Sequence, residues 1–264
     1  MNGLRLDAAV VELGLAQSRE RAKEYIKKGY VTVNGEVIAK PSAAVLESDE
    51  IKLIGETLKY VGRGGLKMEA AVNAFNLDLN GKTCVDLGAS TGGFTDCMLK
   101  NGAKKVYAID VGHGQLDKRL VNDPKVVNLE GVNVKNVTHE TVEQHVDFVS
   151  ADLSFISCKF AIDAAARLLN DNGNAVILIK PQFEAGKSNI SKGGIVKDKK
   201  VHISVLNDVC GYIQAVGFKL QELVPSSIKG GDGNIEYLAH IVNQINFTQK
   251  TFDFKSIVDT AFSK

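Results

Sequence analysis

Three charged residues stand at strand ends, Asp152 in ADLSF, Lys180 in IKPQFE and Glu236 in GNIEY, and a fourth, Lys67 in GRGGLKME, sits just before the first strand. Each alone reads as an ordinary group: Lys67 a surface lysine, Asp152 a cap, Lys180 a snorkelling strand end and Glu236 a solvated carboxylate. Lys180 fits that reading least, because it follows AVILI and should emerge at the edge where a ligand sits. Gathered at one edge, two amines and two carboxylates would form a proton-handling set. Such a set can activate a poor nucleophile without a metal.

A second chemical signal is the stretch VDLGASTGGFTD, residues 85–96. A triphosphate loop needs a lysine and a hydroxyl after its last glycine, but Phe94 follows Gly93. The dinucleotide pattern fails too, because Ser90 stands where its second glycine belongs. An acid inside the run, Asp86, would repel a pyrophosphate. Asp110 lies 22 residues beyond Gly88, about where a ribose-binding acid belongs. A sulfonium cofactor with an amino-acid tail and a ribose suits these letters, so the loop is expected to hold S-adenosylmethionine; a bare glycine turn is the alternative. The expected contacts are Asp86, Gly88, Ser90, Thr91, Gly92, Gly93, Phe94, Asp110, Val111 and Asp152.

Strands alternating with helices must position these groups. Strands are expected at 84–88, 105–110, 125–130, 146–153, 174–180, 218–225 and 235–242, and helices at 93–102, 115–120, 158–169 and 201–217. The stretch 251–264 reads as a final helix. This order predicts an α/β fold with a doubly wound, Rossmann-like sheet and ligands at the carboxyl ends of its strands. Residues 4–54 follow another grammar. LRLDAAVVELG and SRERAKEYIKKG read as two short helices, YVTVNGEVI as a hairpin about Asn34-Gly35, and DEIKLIG as a closing strand. The expected division is a small α+β domain at 1–58 and a large domain at 59–264, with a link at about 55–64.

Lys+Arg at 32 against Asp+Glu at 31 give a net charge of +1, so a nucleic-acid partner is not announced by bulk charge. The four cysteines, Cys84, Cys97, Cys158 and Cys210, have no ligand spacing and read as thiols of a reducing cytoplasm, not a zinc or disulfide framework. No run approaches a membrane span or signal peptide, and a cytoplasmic location is expected. Oligomeric state is not legible. The second helix concentrates cations, with Arg19, Lys23 and Lys27 four apart on one face, either a solvated surface or a phosphate contact.

With the hairpin after it, that helix resembles the S4 domain, an RNA-binding module, through RLD (5–7), SR (18–19), Ala22, Ile26, Gly29 and VNG (33–35). The resemblance implies RNA contacts from Arg5, Arg19, Lys23, Lys27, Lys28 and Lys40. The chain from about 4 to 243 resembles the TlyA family, also called hemolysin A, which joins an S4 domain to an FtsJ-like methyltransferase. The matching motifs are RGGLK (63–67), DLGASTGGFTD (86–96), DVGHGQL (110–116), ADLSFIS (151–157), KPQFE (180–184) and GNIEY (233–237). Gly62 departs from a common serine, and His113 from the usual tyrosine or threonine near the adenosine.

That resemblance implies 2′-O-methylation of cytidine in ribosomal RNA within ribosomal subunits, dependent on S-adenosylmethionine and no metal. By the family's pattern Lys67, Asp152, Lys180 and Glu236 are the catalytic set. Lys180 would be the base, oriented by Asp152, while Lys67 and Glu236 position the ribose. Phe155 would stack on a flipped base or sit in the core. The alternatives are a non-catalytic ribosome-binding or assembly factor and a cytolytic protein. A pseudouridine synthase also carries S4 domains but needs no cofactor loop.

Overall fold

The computed structural model describes residues 3–16, 18–54, 59–230, 233–244 and 250–263. Two compact units are present, Met1–Lys59 and Tyr60–Lys264. Residues 55–58 of the expected link lie outside the described residues, as does Lys264.

In the smaller unit the chain runs β1 (Leu4–Arg5), α1 (Leu6–Glu12), α2 (Arg19–Lys27), β2 (Val31–Val33), β3 (Glu36–Val37), β4 (Ala44–Val45) and β5 (Ile51–Leu53). The first expected helix is therefore shorter at its start, because Leu4 and Arg5 pair antiparallel with Val45 and Ala44. Helix α2 begins where Ser18 accepts the Arg21 N–H, a side-chain N-cap. Asn34 and Gly35 both take positive φ, 52° and 86°, as a two-residue hairpin turn demands. Leu6, Val10, Ala22, Ile26 and Val31, none of them exposed, make the core.

The larger unit opens with α3 (Gly64–Phe75), a helix that is not among those expected and that starts where the expected link ends. It continues through β6 (Thr83–Leu87), α4 (Gly93–Lys100), β7 (Lys105–Asp110), α5 (Lys118–Val121), β8 (Val126–Glu130), β9 (Val146–Ala151), α6 (Lys159–Leu168) and β10 (Leu169–Ile179). Then come α7 (Pro181–Glu184), α8 (Lys199–Ala215), β11 (Lys219–Pro225), β12 (Tyr237–Val242) and α9 (Phe254–Phe262). The strands form one sheet in the order β11-β12-β10-β9-β6-β7-β8. β10, β9, β6, β7 and β8 are parallel, whereas β12 runs antiparallel to both β10 and β11. The expected doubly wound α/β sheet is thus present.

Both faces of the sheet are covered, and the two-residue period of a strand decides which side chain meets which layer. Val85, Leu87, Ala175, Ile177, Ile179, Tyr237, Ala239 and Ile241 face a core completed by α6, α8 and α9. Cys84, Phe148, Val176, Leu178 and Leu238 face the opposite core, with Met68, Ala71 and Phe75 of α3 and Cys97 and Met98 of α4. Strand order reverses at β6, between β9 and β7, which opens a crevice at their carboxyl ends. All four cysteines are buried, and none forms a disulfide. Among the described residues no helix is long and apolar enough to cross a membrane.

Candidate active site

The rows that face α3 run off the ends of their strands into a cluster of charge. Phe148 and Ser150 lead to Asp152, Val176 and Leu178 lead to Lys180, and Leu238 is preceded in the same row by Glu236. Lys67 comes down from the first turns of α3. The structure brings all four together. Lys67 Nζ donates to Glu236 Oε2 at 2.6 Å and lies 3.9 Å from Asp152 Oδ2. Lys180 Nζ is 2.6 Å from Asp152 Oδ1 and donates to Ser154 Oγ at 2.9 Å. The Lys180–Asp152 approach lies off hydrogen-bond angles, so that carboxylate oxygen is ion-paired without a hydrogen bond. Gln182 Nε2 donates to Glu236 Oε1 at 3.5 Å.

Lys67, Lys180 and Glu236 are 8%, 7% and 2% exposed, so none of them is the surface group it would be in isolation. Buried charges persist when paired, and Asp152 bridges the two lysines through its separate oxygens.

Asp152 also lines a cavity of about 560 Å³ at the switch point of the sheet. Gly88, Ser90, Asp110 and Val111 form one wall, and Asn133, Val134, Leu153, Phe155 and Ile156 the other. Its size suits a small-molecule cofactor. At Gly88, φ is +80° and a Cβ would lie 2.8 Å from the Asp152 carbonyl oxygen, so only glycine lets loop and strand meet here. Asp110 accepts the N–H groups of Ser90 at 2.8 Å and Gly112 at 2.7 Å, which holds its carboxylate at the cavity rim. Glu130, at the end of β8, accepts N–H groups of Gly114 and Gln115. Those bonds, chiefly Gly114, hold its carboxyl below the usual range and order the loop after β7. An acid beside a glycine cradle, flanked by apolar walls, fits the ribose, tail and base of S-adenosylmethionine.

The family model for FtsJ-like methyltransferases matches residues 60–242, and that for the S4 domain matches residues 4–51. The chain belongs to the FtsJ-like methyltransferase family. Hemolysin A of Brachyspira hyodysenteriae is 42% identical over 90% of this chain and 100% of its own. The 16S/23S rRNA (cytidine-2′-O)-methyltransferase TlyA of Mycobacterium tuberculosis is 38% identical over 97% of this chain and 94% of its own. A solved structure from Streptococcus thermophilus superposes with a TM-score of 0.78 at 41% identity, covering 100% of this chain and 97% of that one.

In this FtsJ-like methyltransferase only part of the expected cofactor set reaches the cavity. Gly88, Ser90, Asp110, Val111 and Asp152 line it; Asp86, Thr91, Gly92, Gly93 and Phe94 do not. Asp86 is the main correction. It is not exposed at all, because its place in β6 points it under α4. There it accepts from the Thr95 N–H at 2.9 Å, the Thr95 hydroxyl at 2.7 Å and the Ser150 hydroxyl at 3.1 Å. Burial pushes its carboxyl up to about 7, which weakens the argument that it repels a pyrophosphate. Gly92 and Gly93 serve packing. A Cβ on Gly92 would meet Leu120 and Leu116, and one on Gly93 would lie 2.7 Å from the Gly65 nitrogen of α3. Phe94 is buried against Gly64. A Cβ on Gly62 would meet the Thr91 hydroxyl at 2.6 Å, and His113 packs over Gly131 instead of lining the cavity.

Phe155 is 88% exposed, which removes the core alternative. Its φ of +66° is strained for an aromatic residue, and its ring lies 5.2 Å from that of Phe183. The residues that sequence reasoning missed are Ser154, Gln182 and the wall formed by Asn133, Val134 and Ile156.

In the smaller unit, Arg5 and Arg19 both bind buried Asp7. Arg5 grips it through Nε and a terminal nitrogen, at 3.0 and 2.9 Å, and Arg19 at 3.1 Å. These guanidiniums, Arg5 foremost, hold the Asp7 carboxyl down to about 2. Lys28 is paired with Glu24 at 2.9 Å, while Lys27 and Lys40 are exposed and Lys23 is half-buried.

Proposed function

We propose that this chain transfers a methyl group from S-adenosylmethionine to the 2′-hydroxyl of a cytidine in ribosomal RNA of the large subunit, with the small subunit as a second substrate. The observation that carries this reading is the double role of Asp152, which is at once a wall of the cofactor cavity and the bridge between Lys67 and Lys180. The nucleoside and the position follow the M. tuberculosis relative, whose name specifies both.

Gly88, Ser90, Asp110, Val111, Asn133 and Val134 would hold the cofactor, which supplies an electrophilic methyl group when bound. A 2′-hydroxyl is too weakly acidic to attack unaided. Lys180 Nζ, having first given up its own proton to stand as the free amine, takes the hydroxyl proton and becomes the ammonium again. Asp152 and Ser154 fix that nitrogen from two directions. Lys67 and Glu236, locked together, position the ribose, and alignment supplies much of the remaining rate. Phe155 stacks on the flipped base. Arg5, Arg19, Lys23, Lys27, Lys28 and Lys40 contact phosphates from the S4 domain, positioning the RNA without reading its sequence.

The test is transfer of labelled methyl to separated large and small subunits that lack the modification, with Lys180→Ala alongside. Label on RNA that disappears in the variant, with cofactor binding retained, is the expected result. Tight subunit and cofactor binding without label would favour an assembly factor, and full activity in Lys180→Ala would remove the proposed base.

A further inference from the structure

Two ammonium groups and two carboxylates cancel one another, so the Lys67–Asp152–Lys180–Glu236 cluster has no net charge with which to hold a polyanion. A cationic segment is tied beside it. Residues 186–200, GKSNISKGGIVKDKK, carry five lysines against one aspartate. Lys199 is engaged by Asp259 at 2.6 Å. Lys187, Lys192, Lys197 and Lys200 are exposed, and among the described residues no carboxylate pairs with them. Lys229, on the turn that precedes Glu236, is exposed and unpaired in the same sense.

The backbone that carries these lysines is fixed to the strand that delivers Glu236. Asn234, 2% exposed, donates Nδ2 to the Gly194 carbonyl at 3.0 Å and accepts the Val196 N–H at 3.3 Å. His202, fully buried, contacts the Val196 carbonyl through Nε2 at 3.0 Å and the Tyr237 hydroxyl through Nδ1 at 2.9 Å. The Gly194 N–H closes the local turn on the Ser191 carbonyl, and the Gly230 N–H donates to the Asn234 carbonyl. Lys197 therefore adjoins one clamped residue, Val196, and Lys229 adjoins another, Gly230. A loop already ordered loses less entropy when it captures a ligand.

We infer that Lys192, Lys197 and Lys229 form a phosphate-binding wall for the RNA strand on either side of the target nucleotide. The wall is distinct from the cations of the S4 domain and is held in register with Glu236 through Asn234 and His202. This inference rests on the RNA-methylating reading above. It assigns the larger domain its own electrostatic grip on the substrate.

The test compares the wild type with a Lys192→Gln/Lys197→Gln/Lys229→Gln variant in methyl transfer to ribosomal RNA at several salt concentrations. All three positions are exposed, and a melting curve confirms the fold. Each phosphate contact on a single strand contributes about 0.7 to the slope of log affinity against log salt, so the variant should lose about 2 from that slope. KM should rise at least tenfold near physiological salt, with kcat and the calorimetric affinity for S-adenosylmethionine unchanged. An unchanged KM and slope overturns the wall. So does a fall in kcat at constant KM, which would mean that the lysines act on the catalytic cluster. Failure of the wild type to label any ribosomal RNA would instead overturn the function itself.

Discussion

Glu236 is 2% exposed, and its firm partner is Lys67, whose ammonium lies 2.6 Å from Oε2. Replacing Lys67 with methionine keeps most of the side-chain volume and, among the described residues, leaves that carboxylate with only Gln182, at 3.5 Å. Stranding one member of a buried pair costs about 3–5 kcal/mol. For a unit of this size that lowers Tm by roughly 6–20 °C. Glu236→Leu should cost less, because Lys67 keeps Asp152 at 3.9 Å. In the double variant, Lys67→Met/Glu236→Leu, both charges are gone, and stability should return to within about 1 kcal/mol of wild type. Methyl transfer should be lost in all three, since none of them can position a ribose. Calorimetry that resolves the transition of the larger unit, paired with labelled-methyl transfer, reads both quantities. The reasoning fails if Lys67→Met melts with the wild type, or if the double variant is no more stable than Lys67→Met.

Asp86 sits at about 7 in the folded chain against an ordinary value near 4. The native state thus binds the extra proton, and wild-type stability should fall as pH rises from about 4 to about 7, by on the order of 4 kcal/mol. Asp86→Asn, which can still accept from Thr95, should flatten that slope in urea titrations. Asp7 is held the other way, down to about 2, so its contribution is complete above about pH 4 and lost as pH falls toward 2. The stability advantage of wild type over Asp7→Asn should shrink across that window. Gly88→Ala places a Cβ 2.8 Å from the Asp152 carbonyl at a φ of +80°. It should destabilise by about 1–3 kcal/mol and reduce methyl transfer by displacing Asp152, with the crystal structure or chemical shifts of that segment reporting the shift.

Much of the larger domain was legible because its strands are dense apolar runs. AVILI reads as a central parallel strand, and Lys180 follows at the carboxyl end of β10. Helix α3 was not legible. It begins with two glycines where the link ends and has no side-chain cap, so residues 65–75 carry no start signal and no element is expected there. Only tertiary packing explains those glycines, since Gly64 lies against Phe94 and Gly65 against Tyr60. Asp86 misled for a related reason. A carboxylate inside a glycine-rich run suggests a ligand contact, but alternation along β6 sets it on the face covered by α4. The same alternation, followed along β9, β10 and β12, puts Asp152, Lys180 and Glu236 on one face, a signal present in the sequence once the strand register is known. Lys67 could not be found that way, because its helix had not been seen. Residues 115–120 were expected to be helical, yet α5 starts only at Lys118, because Glu130 engages the backbone of the preceding turn.

The irregular start of β10 has a consequence for how this chain can vary in length. Pairing with β9 breaks register between Leu169 and Asn174, and Asn172 there takes a φ of +68°. From Asn174 to Ile177 the register is unbroken, and every residue in it fixes the face on which Lys180 emerges. An extra residue at 170–173 can be absorbed where the ladder is already interrupted. One extra residue between 175 and 179 would turn the lysine away from Asp152 and into the opposite layer. Insertions and deletions should therefore be tolerated on one side of Asn174 and eliminated on the other.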